Sequence, residues 1–113
     1  MPKRTQGFTS WRLEKLTDPE TAAAYLTAAI GDSPRIFRKA LRNVAQSHQM
    51  AKIAREAGVT RESLYRATSD IGNPTLDTLE NVLGAMGLRI SIEPAKAPIA
   101  HSRLAVQRKK AAV

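Results

Sequence analysis

Residues 50–69 read MAKIAREAGVTRESLYRATS, and the way this stretch divides decides the fold. Gly58 breaks it into two short helices. Ile53, Ala54 and Ala57 recur at helical spacing before the glycine, and Val59, Leu64 and Ala67 do so after it. These residues are small or apolar, as two helices touching at a steep angle require. The second helix directs Glu62, Tyr65, Arg66 and Ser69 the other way, and Thr60 stands where an N-cap belongs. One helix packed and its neighbour offered outward is the pattern of a helix-turn-helix facing DNA.

Outward from this stretch the chain is punctuated by helix signals. Asp18-Pro19-Glu20 supplies an N-cap, a proline at the first helical position and an acid in the first turn. The helix it opens runs through Ala22, Tyr25, Leu26, Ala29 and Ile30 and is expected to stop at Gly31. Ser33-Pro34 opens the next, in which Ile36, Phe37, Ala40, Leu41, Val44 and Ala45 form a buried stripe. Its other face carries Arg35, Arg38, Lys39 and Arg42, which read equally as a solvated face or as phosphate contacts. Residues 47–49 form a connector, and His48 has no second ligand at metal spacing. Beyond Ser69, Gly72-Asn73-Pro74 ends the helix and Thr75 caps another, with Leu76, Leu79, Val82, Leu83 and Met86 as its apolar stripe and Gly87 at its close.

Residues 88–93, LRISIE, alternate strictly, with Leu88, Ile90 and Ile92 on one side. That predicts a half-buried strand. A lone strand leaves its backbone unpaired, so it needs a partner: its own copy in a homodimer, the segment at residues 11–14, or another protein. The organisation expected is a lead-in at residues 1–16 with Trp11 as a packing anchor, a folded domain at 17–94 and a basic flexible tail at 95–113. In that tail Arg108-Lys109-Lys110 lacks an acidic partner, while Ile99, Leu104 and Val106 leave room for folding on a partner.

The totals agree with one small helical domain. The chain has 113 residues, 42% hydrophobic but only 4% aromatic, so its core is built from Ala, Leu, Ile and Val. No apolar run approaches a membrane span and no signal-peptide core is present, which predicts a cytoplasmic protein. With no cysteine, disulfides, a zinc finger and thiol catalysis are excluded. The formal net charge is +8, and residues 35–66 hold eight basic side chains against two acidic ones (Glu56 and Glu62). An excess within the folded middle favours contact with a polyanion. The sequence holds no phosphate-loop, zinc-protease or nucleophile-elbow motif. Neither an enzyme nor a cofactor is expected.

Residues 50–69 match the general helix-turn-helix pattern of lambda-repressor-like proteins, with Ala54 at the crossing, Gly58 in the turn and Leu64 plugging the core. Over a longer span the chain resembles bacterial addiction-module antidote proteins. The residues that carry this are Asp18-Pro19-Glu20, Leu41 with Val44-Ala45, Ile53 through Gly58, Arg61 through Ala67, Gly72-Asn73-Pro74-Thr75 and Gly87 through Ser91. The resemblance covers residues 16–94, and the basic tail departs from it. It implies a mainly all-α, five-helix, lambda-repressor-like helix-turn-helix domain with one short C-terminal β-strand and flexible termini. It further implies an antitoxin of a toxin–antitoxin module, which binds a cognate toxin of the RelE/ParE kind and represses its own operon as a homodimer on operator DNA.

The DNA-binding residues expected are Gln49, Lys52, Thr60, Arg61, Glu62, Ser63, Tyr65 and Arg66. Arg61 and Arg66 suit guanine or phosphate, Glu62 cytosine, and Tyr65 a thymine methyl or a phosphate. Thr60 and Ser63 suit phosphates near the helix start, and Gln49 and Lys52 phosphates beside the first helix. Two alternatives stay open at this point: a stand-alone phage-type repressor, and a small RNA-binding or interaction protein without sequence preference.

Overall fold

The computed structural model describes residues 14–95. The lead-in residues Phe8, Trp11 and Leu13, and the tail from residue 96 with His101 and the Arg108-Lys109-Lys110 run, lie outside the described residues, as does the expectation of flexible termini. The described chain forms five helices: α1 (Pro19–Asp32), α2 (Pro34–Ser47), α3 (Met50–Ala57), α4 (Arg61–Ala67) and α5 (Leu76–Ala85).

Four of the five starts are the capped ones the sequence announces. The side chains of Asp18, Ser33, Thr60 and Thr75 each accept from the amide three residues on, satisfying one of the donors that every helix start leaves open. Two hydrogen bonds from Thr21, backbone amide and hydroxyl, hold the Asp18 carboxyl below its ordinary range. Helix α1 passes through Gly31 and ends one residue later, because Ser33 donates its amide to Ala29 while its hydroxyl caps α2.

The most extensive helix contacts run between α1 and α2 and between α3 and α5. The largest fully buried side chains are Leu41 and Val44 from α2, Ile53 from α3, Leu64 from α4 and Val82 from α5. One aliphatic core therefore joins four helices, with Leu26 and Ala29 of α1 against its side. Asn43 Nδ2 donates to the Tyr25 hydroxyl at 2.8 Å and pins α1 to α2.

Two glycine turns set the directions of the chain. After α3, Gly58 takes φ 76°, its amide donates to the Arg55 carbonyl at 3.2 Å and the Val59 amide to the Ala54 carbonyl at 2.9 Å. After α5, Gly87 takes φ 79°, with its amide on Gly84 and the Leu88 amide on Leu83 at 2.8 Å. Both are left-handed helix closures in which the apolar residue after the glycine, Val59 or Leu88, folds back against the core.

The expected strand at residues 88–93 does not form. The described residues contain no strand, and residues 88–95 run as irregular chain. Of the alternating residues only Leu88 packs on the core, while Ile90 is 41% and Ile92 94% exposed. The physical reason is the missing partner: Glu14 sits in a helical turn, not an extended segment, so no second strand lies beside it among the described residues. Leu76 and Ile36 depart too, standing 62% and 40% exposed at the starts of the α5 and α2 stripes.

Gly72 has a different cause from the turn glycines. A Cβ there would come within 2.5 Å of the Ala67 carbonyl oxygen and 2.6 Å of that of Arg66. The loop after α4 lies flat on the end of the helix only because that atom is missing. Gly84, exposed on α5, would meet nothing within 4 Å. Urea unfolding should separate the two: Gly72→Ala should lose on the order of 1–3 kcal/mol, and Gly84→Ala should gain about 0.5–1 kcal/mol. Equal effects at both sites would contradict this packing of the loop.

Candidate nucleic-acid interface

Helix α4 is seven residues long, too short to persist without support. Its inner side is anchored by Leu64 in the core, with Thr68 just beyond its end, the buried polar residue of the described chain. Its C-terminal end, where carbonyls lack helical partners, is held from behind by two arginines of α2. Arg42 Nη2 donates to the Tyr65 carbonyl at 2.6 Å, and its Nε donates to the Thr68 hydroxyl at 3.1 Å. Arg38 Nε donates to the Ser69 carbonyl at 2.9 Å, and its Nη2 to that of Asp70 at 2.6 Å. The Thr68 hydroxyl in turn donates to the Leu64 carbonyl at 2.9 Å.

Arg35 and Lys39 are exposed, as a solvated face requires, but neither reading left open for this face describes Arg38 and Arg42. Arg38 and Arg42, four apart and so on one helix face, form a clasp on the end of α4. Arg35 adds an exposed ion pair with Asp70 at 3.5 Å, worth little where both groups meet water.

The clasp fixes what α4 shows on its other side. Arg61, Glu62 and Arg66 are exposed; Ser63 and Tyr65 are half-buried. Tyr65 packs against the core, with the Arg42 guanidinium 5.1 Å and the Arg61 guanidinium 5.8 Å from its ring centre. Its aromatic face is thus shared between a structural arginine and an exposed one, within range for cation–π attraction. The Thr60 hydroxyl accepts from the Ser63 amide and donates to the Ser63 hydroxyl, both at 2.9 Å, so the two polar residues at the start of α4 are tied to each other. Gln49 and Lys52 are exposed at the start of α3.

Gln49 adopts φ 75° with ψ 117°, a positive-φ backbone rare in a residue that is not glycine. Its carbonyl still accepts the first α3 bond, from Ile53 at 3.1 Å, but its side chain makes no cap. Such a conformation costs on the order of 1–3 kcal/mol, so the turn into α3 is held by its surroundings.

The sequence pattern did not single out Arg38 and Arg42. The signal available was indirect: a very short helix followed by Thr-Ser-Asp needs donors for its final carbonyls, without saying which side chains supply them. If the clasp holds α4, Arg42→Ala should lower the urea midpoint with unchanged slope, a loss of about 1.5–3 kcal/mol. Arg42→Lys should recover only part of it, because an ammonium lacks the planar fork. An Arg42→Ala protein as stable as its parent would remove the clasp from the account.

Comparison with known proteins places the chain. Residues 9–94 match the model of a family described as "probable addiction module antidote protein". An uncharacterized protein of Haemophilus influenzae is 36% identical over 84 residues, spanning 74% of this chain and 87% of that relative. No solved structure matches.

Proposed function

The chain belongs to the family of probable addiction module antidote proteins, and from that membership we propose that it is an antitoxin that also represses its own operon. In this reading it binds a toxin of the RelE/ParE kind directly, acts without catalysis or cofactor, and works in the cytoplasm. No described helix is long and apolar enough to cross a membrane. Helices α3 and α4, with the Gly58–Thr60 turn between them, serve as a lambda-repressor-like helix-turn-helix, and α4 enters the major groove of operator DNA.

The observation that carries the DNA half is the two-sided arrangement of α4. Arginines of α2 grip its end from behind, while Arg61, Glu62 and Arg66 stand exposed in front. A rigidly held helix with a short polar face is what base readout needs, since register errors lose bidentate contacts. Arg61 and Arg66 take guanine or phosphate, and Glu62 accepts from cytosine. Tyr65, half-buried beneath two guanidiniums, orients Arg61 and offers its edge to a thymine methyl or a phosphate. Thr60, Ser63, Gln49 and Lys52 flank the phosphates. A strained Gln49 where glycine would sit at less cost supports a role for its side chain at this surface.

Two half-sites about 34 Å apart, one DNA turn, accommodate a homodimer. Arg66→Ala should weaken operator binding by on the order of 1–3 kcal/mol and relax preference at one base pair, read by titration at fixed salt. Unchanged affinity after replacing both Arg61 and Arg66 would remove α4 as the reading helix. Binding that is steep in salt but indifferent to sequence would instead support the RNA-binding alternative.

The toxin half has its own test. The product of the adjacent reading frame, co-expressed with this chain, should co-purify with it and lose its toxicity. A neighbour that is harmless alone and never co-purifies would leave the stand-alone repressor reading in place.

A further inference from the structure

Helices α1 and α5 and the chain leaving Gly87 leave a groove of about 330 Å³, lined by Leu26, Ile30, Phe37, Leu79, Leu83 and Leu88 among others. Its rim is apolar in large part, with Ile30 58% and Leu76 62% exposed and Ile90 beside them, while Thr27, Arg89 and Ser91 are the polar residues that border it. Residues 88–91 run along this groove, and the alternation that begins there continues to residue 93 without forming a strand. Beyond the Leu88 amide, the backbone of residues 89–95 has no backbone hydrogen-bond partner among the described residues. A largely apolar groove and a segment without a backbone partner among the described residues thus lie side by side.

We infer that residues 88–93 pair antiparallel with the same residues of a second copy of this chain, centred on Ser91, and that this ribbon closes the groove. It deepens the homodimer of the proposed function and rests on that two-fold, but it does not require DNA.

The choice of a second copy follows from the register. Pairing a strand with itself about a two-fold axis keeps apolar opposite apolar only if the axis passes through a residue; a half-residue shift sets every isoleucine against a polar side chain. Centring on Ser91 places Ile90 opposite Ile92 of the second copy, and Arg89 opposite its Glu93, each pair occurring twice. Centring on Ile90 sets Arg89 opposite serine and Glu93 opposite Gly87, so both charge pairs are lost. The sequence LRISIE is therefore complementary to itself in one register, with directly opposed residues of unlike charge on the outer face and isoleucines on the inner. The inner face of the second copy brings Ile92, 94% exposed in the single chain, over the groove beside Ile90. A two-fold contact of this kind is self-limiting and stops at the dimer.

The chain contains no cysteine, so one introduced thiol reports on one position. In full-length Ser91→Cys under mild oxidation, the two thiols face each other across the axis, with Cα atoms about 4.5–5.5 Å apart, within disulfide reach. The expected result is a disulfide-linked dimer on a non-reducing gel. Arg89→Cys should cross-link far less, because its copies lie roughly 14 Å apart in this register.

Sedimentation supplies the second readout. Arg89→Glu and Glu93→Arg should each shift the dimer toward monomer, and the double variant should restore it. The inference is overturned if the parent chain sediments as a monomer, if position 89 cross-links as readily as 91, or if the double exchange fails to rescue. A monomer would assign the groove to residues 8–13 of the same chain or to the toxin. Cross-linking at 91 without operator preference would keep the ribbon and remove the DNA reading. Operator binding to paired half-sites without cross-linking would do the reverse.

Discussion

The hydrogen bonds from Arg38 and Arg42 to the end of α4 are the constraint on which the presented surface depends. A seven-residue helix cannot close its own ladder: its first amides and last carbonyls outnumber its internal bonds. Thr60 serves the start of α4 and the two guanidiniums serve the end. Leu64 is buried in the same cluster as Leu41 and Val44 of α2, so α2 shares a core with α4 and also grips its carbonyls. The orientation of α4 is therefore fixed by Leu64 in the core and by Arg38 and Arg42 at its end, and the face carrying Arg61, Glu62 and Arg66 has little freedom to turn.

The glycines translate that rigidity into direction. Gly58 closes α3 in the left-handed conformation and sends Val59 into the core, so the route from α3 to α4 is a single sharp turn. Gly72 lets the chain pass directly over the carbonyls of Arg66 and Ala67, which keeps the Ser69 and Asp70 carbonyls where Arg38 reaches them. Gly87 repeats the closure of Gly58 after α5 and lays residues 88–91 along the groove. A side chain at any of the three would alter a path, not merely a contact.

Local order was legible in the sequence because local rules decide it. Caps at Asp18, Ser33, Thr60 and Thr75, the stripe of α2 and the break at Gly58 all follow from interactions within four residues. What was not legible depended on distance along the chain. Arg38 and Arg42 bond residues 23–32 positions away, and a basic helix face looks the same whether it meets solvent, phosphate or a helix end. Tyr65 reads as outward by spacing, yet its ring lies half-buried under Arg42. At residues 88–93 the alternation is genuine, but a strand is a property of two segments and the described chain holds one. The positions of Arg61, Glu62 and Arg66 on an exposed face were legible; the DNA contacts proposed for them are a matter of function, which spacing alone does not decide.

The arrangement of charge also revises what a net charge of +8 means. Among the eight cations at residues 35–66, Arg35 pairs with Asp70 and Arg38 and Arg42 grip α4. Lys39 lines a separate groove with Tyr25 and Asn43, between α1 and α2. Lys52, Arg55, Arg61 and Arg66 are exposed on α3 and α4. If each of these four neutralised one phosphate, counterion release would give a salt slope of roughly −3.6 per protomer and about −7 for a dimer. For residues 35–66, then, the exposed cations and not the formal charge would set the scale of any attraction to a polyanion. Two of these eight cations, Arg38 and Arg42, hold a short helix still, so they add to the formal charge without standing free on α3 or α4.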